Sequence, residues 1–292
     1  MNLRSFGAKI LIAIFSLTIG TSLLSLILEK HIFYAHLFVH FQFQYFVIIL
    51  ICSIFLFFLK KKYYSIGGFL YCVILFLTYI HRVTFFSPLP KNVDIFFLNS
   101  QYDSSHLKST LAVIQTADPM TLNLVESNPL LVEEIIALRN TPILNHRAYA
   151  SSCTIFSQYP TKEQKVISQN HLPICIVSFE NFDLLTVHPH RPLNREILAE
   201  NLKFFYELQK IIQEYEQSEQ NFLVVGDFNS TYYSAYFRER FGQYDQKIFA
   251  TWMAGTPLGL PIDHVLTNMN VQVGRSGPVG SDHRAILIDI LE

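Results

Sequence analysis

Charge is what this chain is short of. Only 15% of its 292 residues are Asp, Glu, Lys or Arg, where a soluble domain carries about a quarter. The shortage is concentrated in residues 1–85, which hold eight charged side chains and a single acid, Glu29. So uneven a distribution excludes one globular domain, and a chain that is 50% hydrophobic is not a disordered one. The remaining residues hold 37 charges, an ordinary density for one soluble domain of about 200 residues. That part lacks a basic field as well: 15 bases against 22 acids give a net charge of −7. This counts against a non-specific binder of long nucleic acids, whose affinity comes from Lys and Arg displacing counterions. Cysteine is scarce and never in a CxxC pair, so zinc chemistry has no support. Cys52 and Cys72 fall in apolar segments. Cys153 and Cys175 could pair in an oxidising compartment, although two buried thiols are the preferred reading. No internal repeat, low-complexity segment, Walker lysine motif, HExxH or GxSxG is present.

Long apolar runs fill the charge-poor block. Residues 10–28 carry no charge, enough at about 1.5 Å per residue to cross most of a hydrocarbon core about 30 Å thick. A second run covers 31–59. His31, His36, His40, Gln42 and Gln44 make its start interfacial, which places the second span at 41–59. After Lys60, Lys61 and Lys62 a third runs over 63–80, with Ser65, Gly67 and Gly68 offering a small-residue packing face. A cleaved signal peptide fits less well, because the first apolar core is too long and two more follow. Arg4 and Lys9 precede the first span and the triple lysine separates the second from the third, so both basic segments belong in the cytoplasm. Three crossings then place everything after about residue 84 outside. The expectation is a multi-pass plasma or inner-membrane protein with a cytoplasmic N-terminus, a three-helix transmembrane block over 1–85 and an extracytoplasmic domain over 86–292.

The soluble part begins with a strand-type run at 92–98, a helix over 106–117, a strand at 122–125, and a helix over 129–139 capped by Asn128 with Pro129 in first position. Short apolar runs at 148–158, 173–178 and 183–187 read as antiparallel strands. A long amphipathic helix over 194–215 repeats Ile197, Leu198, Leu202, Phe205, Leu208, Ile212 and Tyr215 at steps of three and four. Further strands are expected at 222–225, 265–266, 271–273 and 285–290. Strands interleaved with helices at both ends and a meander between them imply an α/β (α+β) fold, two mixed β-sheets packed face to face with helices outside.

Polar residues stand where these runs end: Asn99, Glu126, His188, Asp227 with Asn229, Asp263 with His264, and Asp282 with His283. Strand ends gathered on one rim can bring carboxylates together. Such a group suits a hard divalent cation, and a neighbouring amide and imidazole suit a phosphate ester. The segments GDFNS (226–230), PIDHVL (261–266) and GSDHRAILID (280–289), in that order, resemble the endonuclease/exonuclease/phosphatase superfamily; FLNS around Asn99, NLVES around Glu126 and TVHPHRP around His188 are consistent with it. The likeness covers about residues 92–291, and a membrane block ahead of such a domain looks like a bacterial membrane-anchored branch.

That resemblance implies a four-layered α/β sandwich and a Mg²⁺-dependent phosphoric ester hydrolase, with Mn²⁺ as the other candidate ion. By resemblance Glu126, Asn99 and Asp282 are the metal-side residues. Asp227 orients or deprotonates water, Asn229 holds the phosphate, His283 contacts the scissile phosphate with Asp263 fixing its tautomer, and His188 is a second phosphate-facing histidine. Substrate candidates are nucleic acid, a phospholipid or a small phosphodiester; no protein partner is evident. Some positions depart from the family pattern: Gln101 stands where some nucleases place a metal-binding Asp, Gln158 replaces an Arg, and Tyr232 and Tyr233 replace Pro-Trp. Each residue also has a plainer reading. Asp227 and Asn229 suit a turn, Asp282 and His283 the start of a strand, Glu126 an accessory to the helix that opens at Pro129. His190 competes with His188, and His264 is read as structural. The rival function is a non-catalytic membrane receptor or scaffold that binds a phosphorylated ligand in the same pocket.

Overall fold

The computed structural model describes residues 3–82, 89–102, 106–138, 142–146, 153–169, 172–246, 249–253, 256 and 259–291. It divides into two units, one formed by Met1–Val83 with Tyr232–Arg238 and the other by Thr84–Thr231 with Glu239–Glu292.

Among the described residues, the N-terminal part of the first unit carries the α-helices α1 (Leu3–Leu28), α2 (Phe33–Val39), α3 (Gln42–Phe58) and α4 (Lys62–Thr78). Among the described residues one helix, over Phe6–Leu28, is by itself long and apolar enough to cross a membrane. The second expected span is a pair, α2 and α3, bent by 67° at the break, and the third, α4, has 17 residues. The break falls at His40 and Phe41, inside the stretch that bears His and Gln. Large apolar side chains point outward, Leu17 at 72% exposure and Leu77 at 67%, while several polar ones turn inward. The buried Gln42 accepts from Ser22 Oγ at 2.6 Å and donates to Ser25 Oγ at 3.0 Å; Ser22 also shares a hydrogen bond with Tyr71 at 2.7 Å. Among apolar helices a closed network keeps such groups from being buried unpaired. Of the two glycines, Gly68 makes the close approach. A Cβ there would run into Ser53 and Phe15, whereas at Gly67 it would meet open space.

The second unit is a sandwich. In chain order come β1 (Ile95–Asn99), α5 (Leu107–Ala117), β2 (Thr121–Val125), α6 (Pro129–Leu138), β3 (Leu144–His146), β4 (Cys153–Ser157), β5 (Glu163–Gln169), β6 (Leu172–Ser178), β7 (Asp183–Val187), α7 (Arg195–Gln217) and β8 (Phe222–Asp227). A short α8 (Ala235–Phe241) begins in the segment that belongs to the first unit, and β9 (Asp263–Thr267), β10 (Val271–Arg275) and β11 (Ile286–Ile290) follow. One sheet has the order β10-β11-β1-β2-β4-β3, the other β5-β6-β7-β8-β9. Both are mixed: β1 and β2 run parallel, as do β7 and β8, and the remaining pairs are antiparallel.

Burial explains the sequence pattern. Strands β1, β2, β8 and β9 are buried at every position because both of their faces are covered, so β1, β2 and β8 read as largely apolar runs, while in β9 only Val265 and Leu266 are apolar. Between the sheets lie Ile95, Phe97, Val125, Ile155, Val177 and Val225. On the other face of the first sheet, Phe96, Leu98, Leu122 and Leu124 meet Ile114 of α5 and Leu131, Val132 and Ile135 of α6. Against the second sheet α7 buries Phe204, Phe205, Leu208, Ile212 and Tyr215, with Phe205 beside Phe228 and Tyr215 beside Phe222. Each such side chain contributes about 1.5–3 kcal/mol. Helix α6 begins as expected, Asn128 Oδ1 accepting from Leu130 N at 2.9 Å. The expected strand at 148–158 is β4, the first part of that run lying outside the described residues.

One expectation is corrected. Cys153 and Cys175 are not two separate thiols but a disulfide. Cys153 is on β4 of the first sheet and Cys175 on β6 of the second, so the bond ties the sheets together.

Candidate active site

Strand direction builds the site. The parallel strands β1 and β2 deliver Asn99 and Glu126 to one rim, and β7 and β8 deliver His188 and Asp227. Strand β9 runs against β8 with Asp263 opposite Asp227, so it starts where β8 ends. Strand β11 runs against β1, which leaves Asp282 and His283, just ahead of it, at the same rim. Gly226 is required where β8 meets β7, because a Cβ would collide with the carbonyl of Val187. Glu126 and Asn229 both take the left-handed conformation, each at φ 48°. Asn tolerates it readily; for Glu it is uncommon, a cost of the kind that concentrates at functional positions.

Asp227 is the hub. Its Oδ2 accepts from Asn99 Nδ2 at 3.0 Å, and its Oδ1 accepts from the backbone N–H of Asn229 at 2.8 Å. The same Oδ2 lies 3.7 Å from His283 Nε2 and 3.9 Å from His188 Nε2. His188 Nε2 in turn is 3.1 Å from Glu126 Oε1. His283 donates through Nδ1 to Asp263 Oδ2 at 2.8 Å, and its Nε2 is 3.7 Å from Asp282 Oδ1. Asn229 Nδ2 donates to the carbonyl of Pro189 at 3.0 Å. The residues singled out from the sequence thus meet on one rim.

The charges are mutually tuned. Burial pushes the Asp227 carboxyl up, the charge of Asp263 adds to it, and the two imidazoles with the Asn229 N–H only partly offset this, leaving it at about 6. Burial works against a charged His283, yet the Asp263 carboxylate and then Asp227 and Asp282 outweigh it and push the imidazole up to about 10. His188 is raised as well: burial lowers it, but the hydrogen bond to Glu126 and the charge of Asp227 prevail. For Glu126 burial is again the largest influence and acts upward, but the His188 and Asn99 contacts bring the carboxyl below its usual value.

Sequence reasoning missed several supports. Trp252 Nε1 donates to Asp282 Oδ2 at 2.7 Å, and Arg191 lies over the Trp252 ring at 5.8 Å. Ser281 Oγ donates to the carbonyl of Asn99 at 2.8 Å and accepts from His283 N at 3.1 Å. Ser281 sits inside the GSDH segment and could have been found there; nothing local marks Trp252. Gln101 donates its backbone N–H to Asn99 Oδ1 at 3.0 Å, and its side-chain oxygen faces Asp282 N at 3.3 Å. The Gln158 turn is elsewhere, since its neighbour Tyr159 bonds Asp94, ahead of the other end of β1. His190 gives its carbonyl to Asn201 of α7, and both it and His188 lie past the end of β7 at Val187. His264 Nδ1 is bound by Asp245 at 3.1 Å and its Nε2 donates to the carbonyl of Ser230 at 2.8 Å, so both ring nitrogens are used inside the protein.

The donors fit a hard cation. Asp282 Oδ1 and Asp263 Oδ1 are buried without a hydrogen-bond partner among the described residues, and Glu126, Asn99 and Asp282 together offer oxygen ligands, the set that Mg²⁺ prefers. Asp227, Asp263 and His283 form a tight group of candidate ligand atoms among the described residues, all within 4.8 Å of one another. In that group, however, His283 Nδ1 is already committed to Asp263 and Asp227 Oδ2 to the Asn99 amide.

A buried carboxylate between two imidazoles, with oxygen donors beside it, suits the hydrolysis of a phosphoric ester. The profile of the endonuclease/exonuclease/phosphatase family matches residues 95–283. The chain belongs to that family, whose members include nucleases and phosphatases and generally use divalent metal ions. Solved structures share the fold. A 3′ phosphatase, NExo from Neisseria bound to a product DNA hairpin, superposes with a TM-score of 0.52 at 13% identity, over 68% of this chain and 100% of that one. A humanized TDP2 from D. rerio gives 0.50 at 17% identity, over 66% and 96%. An AP endonuclease from Archaeoglobus fulgidus gives 0.50 at 11%, over 67% and 98%. No curated protein sequence matches the chain.

Proposed function

We propose that this is a membrane-anchored, divalent-metal-dependent phosphodiesterase, organised as a membrane block over residues 1–85 and a catalytic domain over residues 86–292. The observation that carries the reading is the setting of Asp227, a buried carboxylate that two imidazoles and two N–H donors surround. At a pKa of about 6 it is ionised at neutral pH yet basic enough to take a proton from water. Glu126, Asn99 and Asp282 would hold Mg²⁺, or Mn²⁺ in its place. When bound, the ion neutralises charge on the phosphoryl oxygens.

The chain's own residues supply the rest. Water, held and deprotonated by Asp227, forms a bond to phosphorus as the P–O bond on the opposite side breaks, with no covalent intermediate. His283 is an imidazolium at neutral pH, held by Asp263 so that its Nε2–H faces the site, where it contacts the scissile phosphate and gives its proton to the departing oxygen. His188 offers a second positive donor, and the Asn229 amide, steadied on Pro189, a neutral one. Charge stabilisation of this kind is worth most where water is excluded, and Asp227, His188, Asp263 and His283 are all buried.

A nucleic-acid phosphoric ester is the favoured substrate, because the structure of NExo, a 3′ phosphatase of the same fold, holds product DNA. A phospholipid or small phosphodiester is the second reading, favoured by the −7 charge of residues 86–292 and by the apolar helix α1. The positive charges before and after the first two runs, together with a disulfide of the kind kept in oxidising compartments, support three spans with the catalytic domain outside. The test is hydrolysis of plasmid DNA, sphingomyelin, glycerophospholipids and inositol phosphates by the full chain in detergent, with Mg²⁺ or EDTA, beside His283→Ala and Asp227→Ala. Metal-dependent turnover of one class, lost in both variants, is expected. A folded, Mg²⁺-supplied parent that turns over none of them but binds a phosphorylated ligand would move the protein to the receptor reading.

A further inference from the structure

The two halves of the rim belong to different sheets. Asn99 and Glu126 come from the first, His188 and Asp227 from the second, and the Glu126–His188 and Asn99–Asp227 contacts are made across the gap. Most of what lies beneath them is apolar side chain, and apolar contact has no direction of its own: it holds two sheets together without fixing how one slides on the other. Contacts of about 3 Å need a closer setting than that.

The disulfide is placed to supply it. In the β2–β4 ladder Cys153 stands opposite Val125, the residue before Glu126. In the β6–β7 ladder Cys175 stands opposite Thr186, two residues before His188. At about 3.3 Å per residue along a strand, the bond lies within about two residues of both members of the Glu126–His188 pair. Both cysteines are buried, at 2% and 0% exposure. One polar bond crosses at the same level, Asn123 Nδ2 donating to Thr186 Oγ1. The remaining cysteines, Cys52 and Cys72, are free thiols in the helical unit.

We propose that Cys153 and Cys175 are positioning residues whose disulfide sets the Glu126–His188 contact, so that the site is competent only when they are oxidised. The chemistry is a two-electron exchange. A dithiol reductant gives up two electrons and two protons, the S–S bond breaks to two thiols, and the reductant closes its own disulfide. Reduction leaves the apolar sandwich assembled and loosens the rim. The activity readout below rests on the phosphodiesterase reading, while the structural readout is independent of it.

The experiment takes the full chain in detergent, oxidised, reduced by a dithiol and then reoxidised, beside the Cys153→Ala/Cys175→Ala variant. Backbone hydrogen exchange is followed at residues 124–126 and 186–188. Trp252, the single tryptophan, is bonded to Asp282 and reports Mg²⁺ titration by fluorescence. The reduced protein and the variant, still folded by circular dichroism, are expected to exchange at least about tenfold faster at those residues. They should also need about tenfold more Mg²⁺ and turn over about tenfold more slowly at unchanged KM, with reoxidation restoring all three in the parent alone. A reduced, folded protein with unaltered exchange at both segments would overturn the proposal whatever the activity. So would a fall in melting temperature with the Mg²⁺ midpoint unmoved, or four titratable thiols in the protein as isolated. An oxidised parent that shows no Mg²⁺ response and no turnover, but whose rim loosens on reduction, would sink the phosphodiesterase reading and leave the positioning role standing.

Discussion

Adjacent residues at the start of β9 feed two histidine–aspartate pairs that look alike and behave differently. Asp263 holds His283 Nδ1 at 2.8 Å, and Asp245 holds His264 Nδ1 at 3.1 Å; both histidines are at most 4% exposed. Successive strand residues face opposite ways, so one pair is presented to the rim and the other to the far face of the sheet, where the His264 ring meets Phe228. The difference is at Nε2. In His264 it is satisfied by the Ser230 carbonyl at 2.8 Å, whereas in His283 it has carboxylate oxygens at 3.7 Å, beyond hydrogen-bond reach. A buried imidazole with both nitrogens spent on the protein is a structural part. One with a nitrogen left over, aimed among acids at a rim, is available to a ligand.

Substitution should separate the two pairs most sharply. His283→Ala is expected to cut kcat by about 10²- to 10⁴-fold, the usual yield of a positioned proton donor, and to lower stability too, because it leaves the buried Asp263 carboxylate without its partner. His264→Ala strands the Asp245 carboxylate in the interior and is expected to cost about 3–5 kcal/mol of stability. Parallel turnover and urea-denaturation measurements on both variants check this; a stable but inactive His264→Ala would erase the distinction. Next in size is Trp252→Phe, which removes the donor from Asp282 Oδ2. Partners of metal-side residues of this kind are worth about 10- to 100-fold in metal affinity, so the Mg²⁺ midpoint of turnover should rise by that factor while His264 and its surroundings keep their stability. A smaller effect is expected in the pH profile. Activity needs Asp227 ionised and His283 protonated, so kcat/KM should rise through about pH 6 and fall toward about pH 10. Asp263→Asn removes the largest influence that raises His283, and should draw the alkaline limb downward in a rate titration by more than it moves the acid limb.

How much of this was legible in the sequence depended on range. Strands β1, β2 and β8 could be read because burial on both faces leaves a run of apolar residues, whereas of β9 only the apolar pair Val265 and Leu266 was visible. Strand β5 (EQKVISQ) could not, because as the outer member of its sheet most of its described side chains are exposed and no apolar alternation survives. The three-residue β3 and the aromatic-rich α8 also lacked a usable period. Among site residues, Asp227, Asn229, Asp263, Asp282 and His283 lie in short segments whose residue order carries the resemblance. The partners of those segments do not. Trp252 is 30 positions from Asp282 and Asp245 is 19 from His264, and contacts made by folding leave no mark of spacing. The cysteines failed for a related reason: at a sequence separation of 22 and with no CxxC spacing, nothing local shows that β4 and β6, in different sheets, bring them together.

The smallest expected effect concerns the pair on the far face, and its sign follows from linkage. Burial lowers the pKa of His264, but the Asp245 charge and hydrogen bond, with the Ser230 carbonyl, leave it raised above the ordinary value. A histidine raised on folding binds its proton more tightly in the native state than in the unfolded chain. Its contribution to stability is therefore complete below the unfolded value of about 6.5 and is lost as pH climbs through the folded value. The comparison needed is between the parent and His264→Phe/Asp245→Leu, in which both partners become apolar and no charge is left stranded. The melting temperature of the parent relative to that double variant should be highest at about pH 6 and below, and should decline as the buffer is made progressively more alkaline. A difference that stays flat across that range would mean that His264 is buried neutral, donating to Ser230 alone. The two pairs on β9 would then differ in charge as well as in the use of Nε2.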